Sequence, residues 1–315
     1  MQGYPAKRLV SSTAISNETI FSDSHELNAP SPLALVRLPA LLDATTGNKA
    51  IVIGMIDGPV ASSHRDLQEA NFRTLSADQA ACRMTESLAC QHGTFIAGIL
   101  SAKRGSQAPA ICPACTLLLK PIFCEATAPG QHCPEITSKD LASAIADVIQ
   151  AGAKIVNLSL GLTTSALQDH PDLTDIFNHA QDRGVLIISA AGNQGRIGQV
   201  PLFNHPWVIP VVACDLQGKL VAGSNIGATV GRRGLMTPGV GVTSLSPNGG
   251  YTRMNGTSVA TPFVTGALAL LWSLAPKASA AQIRTAVLLP GKRRKTIIPP
   301  LLDAETSWRA LQPIH

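Results

Sequence analysis

The sequence predicts an α/β fold, in which a doubly wound, mostly parallel sheet carries helices on both faces to give three layers. Two observations predict this fold. Residues 50–56 form a short, continuous apolar run, which is typical of a strand buried on both faces of a parallel sheet. Segments of helix and strand character then alternate along the chain, as in folds built from right-handed crossover units.

The alternation covers most of the chain. Further strands are predicted at 116–122, 154–159, 185–190, 207–213 and 240–245, and helices at 33–42, 137–150 and 171–183 and after Ser258. Thr137 or Ser138 is the expected N-cap of the second helix. Because the carboxyl ends of parallel strands meet at one edge of a sheet, we expect Asp57, Ser159 and Asn193 to gather there.

Length and composition predict one main domain. The chain has 315 residues, of which 45% are apolar and 14% charged, enough to bury a large core. Residues 1–31 are polar and are expected to be an N-terminal extension, either flexible or covering the cleft as an inhibitory segment. The main domain is predicted to span 32–290, and 291–315, where periodicity is lost, to be a C-terminal tail.

Charge and hydropathy exclude several classes of partner. The net charge of +5 comes from scattered basic residues apart from one run at 292–295, and only 4% of residues are aromatic, so nucleic acid is not expected. No apolar run reaches the roughly 20 residues that span a bilayer, and the N-terminus lacks a signal-peptide core. We therefore expect a cytoplasmic monomer that contacts no membrane and needs no cofactor.

Ser258 lies in a turn of small residues, 255–262, that runs into an apolar helix. Gly256 and Thr257 allow a sharp turn that places Ser258 in the first helical turn, where unpaired N–H groups point outward. Taken alone, Ser258 would be an ordinary N-cap. A serine becomes a nucleophile when a neighbouring base takes its proton and an acidic group orients that base.

The chain supplies candidates for both of these groups. Asp57 ends the first buried strand, and His92 stands at a predicted helix start, although each residue alone is more often a turn or cap former. Asn193 follows Gly192 at another strand end, where its side-chain amide could stabilise an oxyanion. Together with Ser258, these residues predict a serine hydrolase site.

These motifs resemble those of the subtilisin-like serine peptidases (subtilases), whose catalytic residues occur in the chain order Asp, His, Ser. The resemblance extends from about residue 33 to residue 287. It implies that Asp57 orients His92 and that His92 acts as general base and then general acid. It also implies that Ser258 is the nucleophile and that Asn193 and the Ser258 N–H stabilise the oxyanion.

The same resemblance assigns the substrate edge. The motif 157–161 is similar to the family's binding strand, beside which an extended peptide or pro-protein segment adds as a further strand. It implies substrate contacts at Ser159 and Gly192, and a P1 pocket lined by Leu160 and Gly161.

Several positions depart from the family pattern. Gly58 and Pro59 follow the aspartate where a hydroxyl residue and glycine are usual, so a brace on the carboxylate is absent. Phe95 and Phe263 replace histidines, and Asn255 replaces a serine. We expect these changes to tune activity without abolishing it. The loop 101–110 is shorter than the family's calcium loop, so no metal is expected.

A narrower resemblance rests on short strings. The segment 57–60, the later His64 and the segment 119–123 after a Cys-Pro-x-Cys step are similar to the cyanobactin maturation proteases. That subgroup cleaves leader segments from ribosomally made precursor peptides, which implies a precursor-processing endopeptidase. Two alternatives remain: a catalytically silent peptide-binding homologue, and a cyclase or ligase in which an amine replaces water.

The chain has seven cysteines, so at least one thiol is unpaired. A zinc site using Cys112, Cys115, Cys124, His132 and Cys133 is disfavoured, because the predicted strand 116–122 spans roughly 23 Å and zinc-sharing thiolates lie about 4 Å apart. The expected pairs join cysteines that are close in the sequence. These pairs leave a secreted or periplasmic form open. They are Cys82–Cys90, Cys112–Cys115 and Cys124–Cys133, with Cys214 a buried thiol.

Overall fold

The fold is a seven-stranded parallel sheet with helices on both faces, seen in a computed structural model that describes residues 31–75, 81–126, 133–160, 171–289 and 296–312. The strands run in the order β2-β3-β1-β4-β5-β6-β7, and every pairing between them is parallel. They are β1 (Val52–Asp57), β2 (Asn71–Thr74), β3 (Thr116–Pro121), β4 (Ile155–Leu158), β5 (Leu186–Ala190), β6 (Val208–Cys214) and β7 (Leu235–Pro238). An antiparallel hairpin is formed by β8 (Val242–Leu245) and β9 (Tyr251–Met254).

Helices connect the strands across both faces of the sheet. They are α1 (Pro32–Leu35), α2 (Pro39–Ala44), α3 (Leu88–Ser101), α4 (Ser138–Gln150), α5 (Pro171–Asp182), α6 (Ala228–Arg233), α7 (Thr257–Leu274), α8 (Ala280–Leu288) and α9 (Ala304–Arg309). Short 3-10 turns cover Arg65–Leu67 and Pro201–Phe203. The predicted fold class is therefore confirmed.

Each face of the sheet has its own apolar core, because successive side chains of a strand point to opposite faces. Ile53 and Met55 of β1 belong to the core under α3, α7 and α8, whereas Val52 and Ile56 belong to the core under α4 and α5. Helix α7 is apolar on all sides and is buried along almost its whole length. It is long and apolar enough to cross a membrane, but 83% of that stretch is buried inside the domain, which is typical of a core helix.

Most predicted elements agree with the structure to within about two residues, and Thr137 is the N-cap of α4. The single helix predicted at 33–42 was wrong, because two short helices cover this range. Arg37 adopts a φ of +54° after the first, and Pro39 begins the second. The strand predicted at 240–245 lies in the hairpin and not in the central sheet.

The segment after residue 295 packs on the domain. Leu301 bridges Met236 of β7, and Leu302 is only 1% exposed. Arg37 forms ion pairs with Asp303 and Glu305, which ties this segment to the start of the described chain. The basic run at 292–295 and residues 1–30 lie outside the described residues, and the boundaries predicted at 31 and 290 stay predictions.

Replacing Leu302 with Ala tests whether the C-terminal segment belongs to the folding unit. Loss of a buried leucine side chain should lower the free energy of unfolding by about 2 to 5 kcal/mol. Leu289, which is 63% exposed, provides the matched control, and Leu289→Ala should change stability by less than about 0.5 kcal/mol. Urea unfolding measures both values, and equal effects of the two substitutions would show that the segment does not contribute to the core.

Candidate active site

Asp57 and His92 form a hydrogen-bonded pair at the carboxyl edge of the sheet. The strand order reverses beside β1, and Asp57 ends that strand at the crevice where α/β proteins bind ligands. His92 lies in the second turn of α3. Its Nδ1 is 2.7 Å from Oδ1 of Asp57, whose side chain is fully buried. With the proton on Nδ1, Nε2 is the nitrogen that can accept a proton.

Close packing of α3 on the turn after β1 produces this pair. A Cβ atom on Gly58 would lie 2.0 Å from the carbonyl oxygen of Ala89, and one on Gly93 would lie 2.5 Å from the carbonyl oxygens of Gly58 and Pro59. Side chains at positions 58 and 93 would therefore force the helix away from the strand. The departure noted in the sequence at Gly58 has a steric cause.

The Asp57 carboxylate is braced on one side. Its Oδ1 accepts hydrogen bonds from His92 and from the Gly58 N–H, the latter at 2.7 Å. Its Oδ2 is buried and has no partner within the part of the chain that the structure describes. This agrees with the expectation that Gly58 removes a hydroxyl brace.

The environment of His92 favours its charged form. Burial alone would lower the pKa of His92, but the Coulomb attraction of Asp57 and the hydrogen bond to it act in the opposite direction, and the pKa is raised above 6.5. The pair therefore stabilises an imidazolium, the species that forms when a histidine accepts a proton from a nucleophile.

Ser258 lies in the first turn of α7, which begins after Gly256 at a φ of +133°. A chain of side-chain hydrogen bonds holds this turn. Thr265 Oγ1 donates to Asn157 Oδ1 at 2.7 Å, Asn157 Nδ2 donates to Ser159 Oγ at 2.9 Å, and Ser159 Oγ donates to the Ser258 carbonyl oxygen at 2.8 Å. Ser159 thus contacts the backbone of Ser258, and its predicted contact with substrate stays a prediction.

Asn193 is fixed against the same turn. Its Oδ1 accepts from the N–H of Thr257 at 2.9 Å and from the Thr257 hydroxyl at 3.0 Å. These bonds orient the amide, and its Nδ2 lies beside Gly256, 3.0 Å from where a Cβ on that residue would be. Gly192, at a φ of +97°, donates its N–H to the Thr257 hydroxyl at 3.0 Å. Thr257 therefore links the Asn193 turn to Ser258.

Sequence reasoning did not single out Thr265 or Asn225, and it assigned Thr257 to the turn without its hydrogen bonds to Asn193. Asn225 accepts the N–H groups of Gln194 and Arg196 and donates to the Ala191 carbonyl oxygen at 3.0 Å, so it holds the loop around Asn193. Buried Thr and Asn residues have many structural roles, and the sequence gives no signal that separates these ones from the others.

The predicted site residues form two groups. One joins Asp57 to His92, and the other joins Ser159 and Asn193 to the turn that carries Ser258. Helix α3, which carries His92, and helix α7, which carries Ser258, pack against each other. No hydrogen bond joins Ser258 to His92 among the residues described, and such bonds are often long before substrate binds.

The expected P1 pocket is described only in part. Leu160 is 2% exposed, whereas Gly161 lies outside the described residues, so the lining of this pocket stays a prediction. A cavity of about 620 Å³ opens beyond the carboxyl ends of β1 and β3. Its walls include Pro59, Ile122 and Phe123.

Two of the three expected disulfides are present, Cys82–Cys90 and Cys124–Cys133. The pairing of Cys112 with Cys115 was wrong, because these buried residues are free thiols in hydrogen-bond contact. That contact, with burial, raises the pKa of Cys112. Burial raises the pKa of Cys214, also free, to about 12. The sulfur atoms of Cys82 and Cys90 and a carboxylate oxygen of Glu125 lie within 4.8 Å of one another, a spacing suited to a metal ion. Both sulfur atoms are bonded in the disulfide, so neither is a thiolate that could bind the ion.

The parallel sheet and the buried carboxylate–imidazole pair, with a serine at the start of an apolar helix, are the arrangement of a serine peptidase. The profile of the subtilase family, Peptidase S8, matches residues 48–291. The chain therefore belongs to the subtilase family and is a serine endopeptidase, which confirms the resemblance seen in the motifs.

Its relatives include several subtilisins. Subtilisin NAT of Bacillus subtilis subsp. natto is 27% identical over 278 residues, covering 87% of this chain and 68% of the relative. Subtilisin DY of Bacillus licheniformis is 29% identical over 239 residues, covering 74% of this chain and 81% of the relative.

Solved structures give a narrower comparison. A mutant of the protease domain of PatA is 29% identical with a TM-score of 0.75, covering 84% of this chain and 96% of that one. The prenylagaramide maturation protease PagA is 29% identical with a TM-score of 0.74, covering 88% of this chain and 99% of that one. The PatG macrocyclase domain has a TM-score of 0.77 at 20% identity, a likeness that concerns the fold alone.

The raised pKa of His92 can be tested by titration. The imidazole of His92 should titrate above pH 6.5 in the wild-type protein. In Asp57→Asn the Coulomb attraction is lost while burial remains, so the midpoint should fall below 6.5. NMR of ring-labelled histidine measures the shift, with the exposed Asp172→Asn as the control. A midpoint unchanged by Asp57→Asn would contradict the pairing.

The bond from Ser159 to the Ser258 carbonyl oxygen should support turnover. Ser159→Ala removes both hydrogen bonds of Ser159 Oγ, the one it accepts from Asn157 and the one it donates to the Ser258 carbonyl oxygen. The bond to Ser258 is worth about 1 kcal/mol, so its loss should lower kcat for peptide hydrolysis roughly fivefold. Ser62→Ala, at an exposed serine, should leave kcat unchanged. If Ser159→Ala is as active as Ser62→Ala, the bond does not position the nucleophile.

Proposed function

We propose that Asp57, His92 and Ser258 form the catalytic triad of this endopeptidase, and that its substrates are precursor peptides from which it removes leader segments. The observation that carries the first part is the 2.7 Å contact between Nδ1 of His92 and the buried carboxylate of Asp57. It gives a base whose other nitrogen is the proton acceptor and whose charged form is stabilised.

The reaction follows from these groups. Ser258 Oγ attacks the scissile carbonyl carbon while Nε2 of His92 takes the hydroxyl proton. Asp57 stabilises the imidazolium through Nδ1. The tetrahedral oxyanion accepts hydrogen bonds from Asn193 Nδ2 and from the Ser258 N–H. His92 then protonates the leaving amine, and water enters by the reverse sequence to release the acyl group.

The anchoring of Asn193 supports its place in this reaction. Its Oδ1 is engaged by Thr257, so rotation of the amide would break two hydrogen bonds. A donor that is oriented before the substrate binds requires no reorganisation when charge develops on the oxygen, and one such donor contributes about 2.7 to 4 kcal/mol in a comparable site.

The precursor-peptide proposal is supported by the likeness to the prenylagaramide maturation protease PagA and to the PatA protease domain. Both are similar to this chain at 29% identity over most of its length. Neither a membrane, nor nucleic acid, nor a resident metal or other cofactor is required by this chemistry. A monomeric state, the cytoplasmic location and the inhibitory role of residues 1–31 stay predictions.

The two alternative functions, a silent peptide-binding homologue and a cyclase or ligase, differ from the peptidase in whether an acyl-enzyme forms and in what attacks it. A silent peptide-binding homologue would not need the buried Asp57–His92 pair. A cyclase or ligase would use the same residues but would transfer the acyl group to an amine. A cyclic product would have the mass of the substrate minus the leaving segment, and a ligated product would add the mass of the incoming amine, in neither case with an added water.

The triad is tested by Ser258→Ala. This change removes the nucleophile, so kcat should fall by about a millionfold. A fluorophosphonate probe should label the wild-type protein at Ser258 and leave the variant unlabelled. Hydrolysis that survives the substitution would reject the triad.

The substrate proposal needs a separate experiment. A leader-bearing precursor peptide and a version with the leader sequence scrambled are incubated with the wild-type protein, and the products are weighed by mass spectrometry. Faster cleavage of the intact precursor, with addition of one water, supports leader removal. Equal cleavage of both peptides rejects leader recognition, and a product without added water identifies transpeptidation.

A further inference from the structure

Glu125 lies outside the triad but contacts the loop that precedes the His92 helix. It is four residues beyond the end of β3, and both of its carboxylate oxygens accept the N–H of Arg83, at 3.0 and 3.1 Å. Its Oε1 also accepts the N–H of Met84 at 2.9 Å and the hydroxyl of Ser87 at 3.5 Å. One carboxylate thus holds a distant loop through three donors. Charge-assisted bonds of this kind are about twice as strong as neutral ones.

The contact extends into the first turn of α3. Ser87 is the N-cap of α3 and is fully buried, and its Oγ accepts the N–H of Cys90 at 3.1 Å. Cys90 is bonded to Cys82, the residue before Arg83. The loop held by Glu125 is therefore fixed to the helix both by a cap and by a covalent bond.

Little free space separates this helix start from the catalytic pair. A Cβ on Gly58 would lie 2.0 Å from the Ala89 carbonyl oxygen, and one on Gly93 would lie 2.5 Å from the Pro59 carbonyl oxygen. His92 lies between these two contact points. A displacement of the helix start therefore changes the distance between His92 and Asp57, because closely packed elements transmit small shifts.

We propose that Glu125 is a positioning residue for His92, acting through the Arg83–Met84 amides and the Ser87 cap. The proposal rests on the proposed role of His92 as the base of the peptidase. Glu125 also lines the 620 Å³ cavity beside the site, together with Ile122 and Phe123. The same carboxylate thus connects the wall of that cavity to the helix that carries the base.

If Glu125 contributes to stability alone, the expected results differ from those of a positioning residue. If Glu125 only held the loop in place, its replacement would lower the melting temperature and leave the folded enzyme's kcat and the titration of His92 unchanged. If it positions His92, loosening the helix start weakens the Asp57 contact. The pKa of His92, which that contact raises, would then fall, and the acidic limb of kcat/KM would move to lower pH.

The experiment compares Glu125→Gln and Glu125→Asp with Glu86→Gln. Gln keeps the size of Glu but places an amide N–H₂ against backbone donors, and Asp keeps the charge but withdraws the carboxylate by one methylene. Glu86 is an exposed carboxylate of the same loop, whose Oε1 accepts only a weak bond from Asn248 at 3.4 Å among the contacts described, so it is the matched control. The readouts are kcat and KM on a peptide that the wild type cleaves, measured across pH, and the NMR titration of His92.

Glu125→Gln should lower kcat roughly tenfold with KM within about twofold, since small displacements of a catalytic group cost up to a hundredfold. The titration of His92 should shift to lower pH in Glu125→Gln and by a smaller amount in Glu125→Asp. If Glu125→Gln does not fold, the shift in Glu125→Asp tests whether Glu125 positions His92. An unshifted titration in the folded variants, or the same shift in Glu86→Gln, overturns the proposal. The titration needs no turnover, so its result is distinct from failure of the proposed peptidase chemistry.

Discussion

The contact between α3 and the turn after β1 determines the rest of the site. Glycines at positions 58 and 93 allow the backbones to approach until any side chain there would overlap a carbonyl oxygen. This approach places His92 at 2.7 Å from a carboxylate that is completely buried. A buried charge needs a partner to be tolerated, so the packing and the ion pair depend on each other.

The same contact accounts for the unusual residues after the aspartate. A hydroxyl residue at Gly58 would brace Asp57 but would also displace α3, and the chain instead leaves Oδ2 without a partner among the described residues. The start of the helix and the loop before it are also held by the Cys82–Cys90 disulfide and by Glu125. The nucleophile side is built differently, because Ser159 and Asn193 hold the Ser258 turn through polar bonds to its backbone.

The sequence predicted the sheet and the triad candidates because both depend on local signals. Continuous apolar runs identify buried strands, and small-residue turns at strand or helix ends identify functional positions. The break at Arg37 depends on a positive φ that no local pattern specifies. The reduced state of Cys112 and Cys115 and the loop contact of Glu125, 42 residues from Arg83, depend on tertiary packing, which a single sequence does not reveal.

The claim that Asp57, His92 and Ser258 act as one unit is tested most directly by the crystal structure of the protein treated with a peptide chloromethyl ketone. In this reaction the serine oxygen adds to the ketone carbon and the histidine nitrogen displaces chloride from the adjacent methylene, so both bonds form only when the two side chains face the same reagent. We predict covalent bonds to Ser258 Oγ and His92 Nε2, with the inhibitor oxygen within hydrogen-bond distance of Asn193 Nδ2. A bond to only one of the two residues, or to neither, would contradict the account.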